Sequence, residues 1–160
     1  MNASIIQINK KPKINQEVGL PKIPVDKAEV TFSGIVGDYN RFRSTKKKND
    51  PEMGLMLLTS DIIHELNSEG WPIQPGDLGE NITLTDMDYR SLAPRQKYAV
   101  GSIQIEISFI CDPCSNLQVL PYVGKKKIKD FIKTLLGRRG WYAKVLKTGT
   151  IHKGDIIKML

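Results

Sequence analysis

Ile103-Gln104-Ile105-Glu106-Ile107-Ser108-Phe109-Ile110-Cys111-Asp112-Pro113-Cys114 is the stretch from which the rest of the chain is read. Apolar residues stand at every second position from Ile103 to Phe109, the period of a strand with one buried face. That strand runs directly into the only two cysteines in the sequence. Pro113 fixes its own φ and biases Asp112 away from helical backbone, so the spacing predicts a bent, rather rigid loop that presents sulfur at a strand end.

Three chemistries are open to this element. Thiols spaced C-x-x-C can cycle to a disulfide. They can also form half of a zinc site, but zinc takes four N or S ligands and only His64 and His152 remain to complete one. A single thiolate serving as soft-metal ligand or sulfur carrier is the third option and needs one cysteine of the pair. Against all three stands a plain reading, two small hydrophobes at a strand end, since free cysteine is among the most buried residue types.

Outward from the cysteines, residues 4–8, 28–33 and 82–84 read as strands, 55–58 as a short buried apolar run, and 91–101 as a strand-rich approach to Ile103. Residues 141–146 and 151–157 read as a closing hairpin around Thr148-Gly149-Thr150. Two helices are predicted. One is capped by Thr59-Ser60-Asp61, carries Ile62, Ile63 and Leu66 on one face and stops at Gly70; His64 falls off that face. The other places Ile128, Phe131, Ile132, Leu135 and Leu136 on one stripe and stops at Gly137. The class is therefore mostly β, α+β, and nothing in the 160 residues divides them into more than one domain. A chain of that length buries roughly 70% of its unfolded surface and needs no disulfide staples.

Lys and Arg outnumber Asp and Glu by 24 to 17, a formal charge of +7. This balance suits an anionic partner: nucleic acid, a phosphate-bearing cofactor, or nothing beyond solubility. Two cysteines and no apolar leader point to a reducing cytoplasm, and no apolar run approaches the roughly 20 residues of a membrane span.

Three loops carry the remaining signal. Gly34-Ile35-Val36-Gly37-Asp38 is a turn in which backbone approaches something closely, or else a tight β corner. Tyr39-Asn40-Arg41-Phe42-Arg43-Ser44-Thr45-Lys46-Lys47-Lys48 is a basic run with interleaved aromatics, which keeps single-stranded nucleic acid as a rival partner beside the reading of a solvated loop. Pro75-Gly76-Asp77-Leu78-Gly79-Glu80-Asn81-Ile82-Thr83 concentrates acids and an amide where the backbone lacks Cβ atoms. Such a loop can offer N–H groups to an anion, or can use its carboxylates to hold two loops together. Lys125-Lys126-Lys127 opens the second helix, where cations oppose its macrodipole.

Taken together, the 34–38 turn, the 75–83 block, Pro113-Cys114, Gly137-Arg138-Arg139-Gly140-Trp141 and the closing Gly154-Asp155 resemble a MOSC domain, the domain named for the C-terminal part of molybdenum cofactor sulfurase. The resemblance covers the chain from about Gly19 to Leu160 in family order. It implies one domain over 1–160, with a β-barrel core and a few peripheral helices, and a molybdenum cofactor (molybdopterin) bound with Cys114 as metal ligand or sulfur carrier. The cofactor is a pterin dithiolene ending in phosphate. By the same resemblance Gly37, Asp38, Arg41, Arg43, Asp77, Gly79, Glu80, Asn81, Arg138 and Arg139 are cofactor-binding candidates, with guanidinium forks suited to the phosphate. Many relatives carry an arginine three residues before the motif cysteine, where this chain has Cys111; Cys111 joins Cys114 as a catalytic candidate.

The expected function is sulfur transfer, or reduction of a small N-hydroxylated compound with electrons from a partner protein. A sulfur carrier would need a persulfide donor in place of that electron donor. The alternatives are a metal-free dithiol oxidoreductase using Cys111 and Cys114, and a basic nucleic-acid-binding module, the less favoured of the two. No membrane partner is expected.

Overall fold

The computed structural model describes residues 2–45 and 47–160; Lys46, in the basic run, lies outside them. The chain opens with β1 (Ser4–Lys10), β2 (Ile23–Val25), β3 (Lys27–Thr31) and β4 (Gly34–Ile35), followed by α1 (Arg41–Thr45), β5 (Leu55–Thr59), α2 (Ser60–Ser68) and β6 (Ile82–Thr85). Then come β7 (Lys97–Val100), β8 (Ile103–Ile110), α3 (Gly124–Leu135), β9 (Trp141–Lys147), β10 (Gly149–His152) and β11 (Ile157–Met159). Eight strands form one sheet in the order β11-β7-β8-β9-β5-β6-β1-β2, and β10-β3-β4 form a second. The class is sheet-dominated α+β.

Every side chain of β5 is buried, and β5 lies in the interior of the sheet between parallel β6 and antiparallel β9. The parallel pair is joined through α2, which buries Ile62, Ile63 and Leu66 and leaves His64 in solvent. Helix α3 buries Phe131 and Leu135, with the Phe131 ring 4.7 Å from that of Trp71 and 6.2 Å from that of Tyr122. Leu136, counted on the stripe by periodicity, is 62% exposed because the helix ends one residue earlier.

The expected barrel core is an open sheet. Ser4 makes a lone bridge to Ile156, and Ile5 N donates to Asp155 O at 2.9 Å, so the start of β1 touches the approach to β11. Further along, β2 occupies that same edge of β1 at Ile8 to Lys10, and no ladder closes.

The closing hairpin is also corrected. β9 has β5 on one edge and β8 on the other, so neither edge is free for the next strand. The chain leaves the large sheet at Thr148, and β10 pairs with β3 instead. Part of the basic run forms the short helix α1. Among the described residues no helix is long and apolar enough to cross a membrane.

β8 keeps the alternation read from sequence through Ile103, Ile105 and Ile107, all buried, and then breaks it. Ile107 pairs with Ala143 and Ile110 with Trp141, so β8 spends three residues where β9 spends two. Such a bulge re-aims side chains, and Phe109, expected on the buried face, stands 39% exposed. Cys111 N then donates to Gly140 O at 2.8 Å, which fixes where the cysteine loop departs.

Candidate functional site

A cleft of about 240 Å³ opens at the end of β8. The bulged end and cysteine loop, Phe109 through Cys114, form one wall; Val18, Gly19 and Leu20 before β2 form another; Tyr39 to Phe42 and Lys47 around α1 form a third. Arg139 and Tyr142, just before and within β9, complete the lining.

Cys114 is half-buried and caps the 3-10 turn Ser115–Val119. Beside it lies Arg139, only 7% exposed, whose Nη1 donates to Cys114 Sγ at 3.2 Å and to Asp112 O at 3.0 Å, while its Nε donates to Leu78 O at 3.2 Å. One planar guanidinium thus ties the cysteine loop to the 75–83 block, a task suited to its fixed fork of donors. Burial opposes the Arg139 charge, but the fields of Cys111 and Cys114 and the hydrogen bond to Cys114 outweigh it and hold the group above its ordinary value. Gly79 lines the same wall at φ +94°, where an added Cβ would stand 2.9 Å from Leu20 Cδ2. Only glycine meets both demands without strain.

Cys111 is 2% exposed, and its thiol donates to Tyr142 Oη at 3.2 Å. Burial pushes the Cys111 thiol up, against the opposing pull of Arg139 and Tyr142. The Phe109 and Tyr142 rings lie 5.3 Å apart, which makes that wall aromatic. At the rim, Arg41 and Lys47 are exposed, with Lys47 Nζ 5.7 Å from the centre of the Phe42 ring. Lys22 also reaches the lining, yet it is buried and donates to Asp38 Oδ1 at 2.7 Å and to Tyr39 O at 3.0 Å. Desolvation lowers Lys22, with Asp38 pulling the other way. Among the described residues four cations, Lys22, Arg41, Lys47 and Arg139, face one carboxylate, Asp112.

The other candidate residues lie off this lining and knit the scaffold behind it. Asp38 accepts from Lys22, from Lys11 N at 3.0 Å and from Asn81 Nδ2 at 2.9 Å. Asn81 in turn accepts from Met56 N at 3.1 Å, linking β5 to the 75–83 block. Glu80 is fully buried; its Oε1 accepts from Gly76 N at 2.6 Å and Thr83 Oγ1 at 3.0 Å, its Oε2 has no partner, and burial pushes the carboxyl up to about 7. Asp77 accepts from Gln74 N and from Tyr122 Oη. Gly37 turns at φ +83° beside the Lys10 ammonium.

The arginines divide two and two. Arg43 donates through Nη1 to the carbonyls of Met53 and Gly54, both at 3.1 Å. Arg138 clamps Glu65 of α2, Glu69 at its C-terminal cap and the Thr134 carbonyl of α3. Arg41 and Arg139 are the two that line the cleft. Lys22, Phe109 and Tyr142 were not singled out from sequence; each sits in an ordinary strand or Pro-rich pattern, and only the tertiary structure brings them to the sulfur.

Among the described residues no three His, Cys, Asp or Glu side chains are grouped to hold a metal ion. A metal at Cys114 would have to bring most of its own ligands. One soft sulfur donor ringed by cations fits an anionic complex that does so, as a pterin dithiolene would.

The family model for the MOSC domain matches residues 45–158. A protein named reductase from Gibberella moniliformis is 30% identical over 115 residues, 64% of this chain and 20% of that protein, so the chain spans about a fifth of that relative. Among solved structures, the YuaD protein from Bacillus subtilis has a TM-score of 0.80 at 20% identity, covering 98% of this chain and 94% of that one. YiiM from Geobacillus stearothermophilus has a TM-score of 0.72 at 22% identity, covering 99% and 75%, and YiiM from Escherichia coli 0.67 at 16%, covering 100% and 70%. At these identities the likeness to the solved structures is one of fold.

Proposed function

Because the chain belongs to the MOSC domain family, we propose that its cleft binds a molybdenum cofactor with Cys114 as the protein's sulfur ligand, and that the loaded protein reduces a small N-hydroxylated compound. The observation that carries this reading is the Arg139 to Cys114 contact of 3.2 Å inside a cleft where cations outnumber carboxylates. The relative named reductase supports the reaction class.

When bound, the cofactor supplies a metal that exchanges two electrons with the substrate. The protein's share is binding and orientation. Cys114 offers the soft donor, Arg139 holds it in place, and Arg41 and Lys47 at the rim meet the phosphate, while Arg43 and Arg138 are committed elsewhere. Phe42 and Phe109, 41% and 39% exposed, give a flat substrate two aromatic faces. Two cysteines are too few for an iron–sulfur cluster within these 160 residues, so electrons enter from another protein or domain.

The test is a reduction assay on protein purified from cells that make the cofactor, with a reduced viologen dye as electron source and a simple N-hydroxylated amidine as substrate. Turnover by wild type and its loss in Cys114→Ser are expected. Equal turnover by both proteins would remove Cys114 from the reaction. Loss on replacing Cys111 or Cys114 alike, in protein without molybdenum, would favour metal-free dithiol chemistry.

A further inference from the structure

We propose that Cys111 is a resolving thiol for Cys114: a group held on Cys114 through a sulfur–sulfur bond is displaced by Cys111, and the two sulfurs close a disulfide that withdraws the metal ligand. The inference rests on the reading of Cys114 as that ligand, and it gives the same cleft a redox control.

Both cysteines are free thiols in the lining of one cleft, and they differ in access. Cys114 is half-buried at the opening; Cys111 is 2% exposed behind it. The Asp112 carbonyl lies 3.6 Å from Cys111 Sγ and 3.0 Å from Arg139 Nη1, and that same nitrogen touches Cys114 Sγ at 3.2 Å, so Arg139 links the surroundings of the two thiols. Both side chains border the same cleft, three residues apart on one loop. An outside reagent meets Cys114 first, and the proposal requires a group attached there to come within reach of Cys111. Cys111 now donates to Tyr142 Oη, and its attack on residue 114 requires that hydrogen bond to break.

With a disulfide oxidant such as oxidised glutathione, the Cys114 thiolate attacks one glutathione sulfur, the glutathione S–S bond breaks, and the first glutathione leaves as a thiol. The Cys111 sulfur then attacks Cys114, the mixed disulfide breaks, and the second glutathione leaves, taking up the proton that Cys111 gives up. Two protein thiols lose two electrons and the oxidant gains them. A persulfide on Cys114 meets the same fate: Cys111 attacks, hydrosulfide leaves and the protein disulfide remains, to be reopened by a dithiol reductant. A carrier built this way discharges its cargo, which favours the ligand role over sulfur carriage.

The test exposes reduced, cofactor-free full chain to oxidised glutathione, traps products in acid and weighs them intact. Wild type is expected to form the disulfide with no glutathione retained, Cys111→Ser to keep one glutathione, and Cys114→Ser to take up glutathione about tenfold more slowly than Cys111→Ser. Cys111→Ala repeats the second arm with a side chain suited to an apolar site, and thermal melts verify folding. Retention of glutathione by wild type for as long as by Cys111→Ser, or uptake by Cys114→Ser at the same rate, overturns the proposal. Molybdenum and pterin are measured separately on reduced and oxidised chain. A disulfide that forms in a chain unable to bind cofactor sinks the cofactor reading and leaves the resolving thiol standing; equal loading of reduced and oxidised chain sinks the control.

Discussion

Arg139 donates from one terminal nitrogen to Cys114 Sγ at 3.2 Å and from its Nε to the carbonyl of Leu78, 61 residues before it, at 3.2 Å, so a single buried guanidinium fastens the cleft's accessible thiol to the glycine-rich block. Arg139→Lys keeps the charge and loses the fork. Cofactor content is expected to fall about tenfold, as when a group supporting a metal ligand is replaced. Arg139→Ala leaves the buried Leu78 carbonyl without its donor and takes one from the part-buried Asp112 carbonyl, and is expected to cost about 1–3 kcal/mol in urea unfolding. Full pterin content in Arg139→Lys would show that the fork does no positioning.

Lys22 and Asp38 form an ion pair of 2.7 Å whose side chains are 3% and 7% exposed. Removing one charge strands the other in a buried site. Asp38→Asn is therefore expected to destabilise by about 3–5 kcal/mol, read from the urea midpoint at constant slope. Lys22→Met combined with Asp38→Asn should recover much of that loss, because no lone charge remains.

Glu80 gives the chain a pH dependence of definite sign. Its carboxyl is raised from 4.5 to about 7 by burial, so between those values the folded chain holds a proton that the unfolded chain has released. The stabilisation is full below the unfolded value and declines as pH rises toward the folded one, by about 3 kcal/mol in all. Glu80→Gln keeps the acceptor for Gly76 N and Thr83 Oγ1 and cannot ionise. The stability difference between wild type and Glu80→Gln, measured at about pH 4 and about pH 8, should move against wild type at the higher pH. A difference independent of pH would place the ionisation elsewhere.

Phe109 and Phe131 separate cleft from core. Phe131 is fully buried, and Phe131→Ala is expected to cost about 3–5 kcal/mol while the folded fraction still binds cofactor. Phe109 is 39% exposed, and Phe109→Ala should cost within about 1 kcal/mol and raise KM instead. The reverse ranking would mean that the bulge at the end of β8 serves packing alone.

The β8 alternation was legible because Ile103, Ile105 and Ile107 obey a purely local period, and the loop after it because Pro113 restricts backbone wherever it stands. The bulge was not legible, since it arises from the pairing of Ile107 and Ile110 with Ala143 and Trp141, more than 30 residues away. β10 was assigned to a hairpin for the same reason: a local pattern reports that a strand exists, not that both edges of its neighbour are occupied. Arg138 and Arg139 are adjacent and chemically identical, yet one is drawn to Glu65 and Glu69 and the other is buried against sulfur. No spacing rule distinguishes them; the position of α2 does. Family resemblance drew attention to Asp38, Glu80 and Asn81, and the structure gives each a hydrogen-bonding partner within the protein. Lys22, by contrast, lay unmarked between two prolines.

The central claim is that Cys114 Sγ is the protein's ligand to a molybdenum centre. Molybdenum and pterin should be quantified per chain after purification from cells that make the cofactor, for wild type and Cys114→Ser side by side. Near-stoichiometric amounts of both in wild type and their loss from folded Cys114→Ser are predicted. Full retention by Cys114→Ser, or absence of both from wild type, would contradict the account.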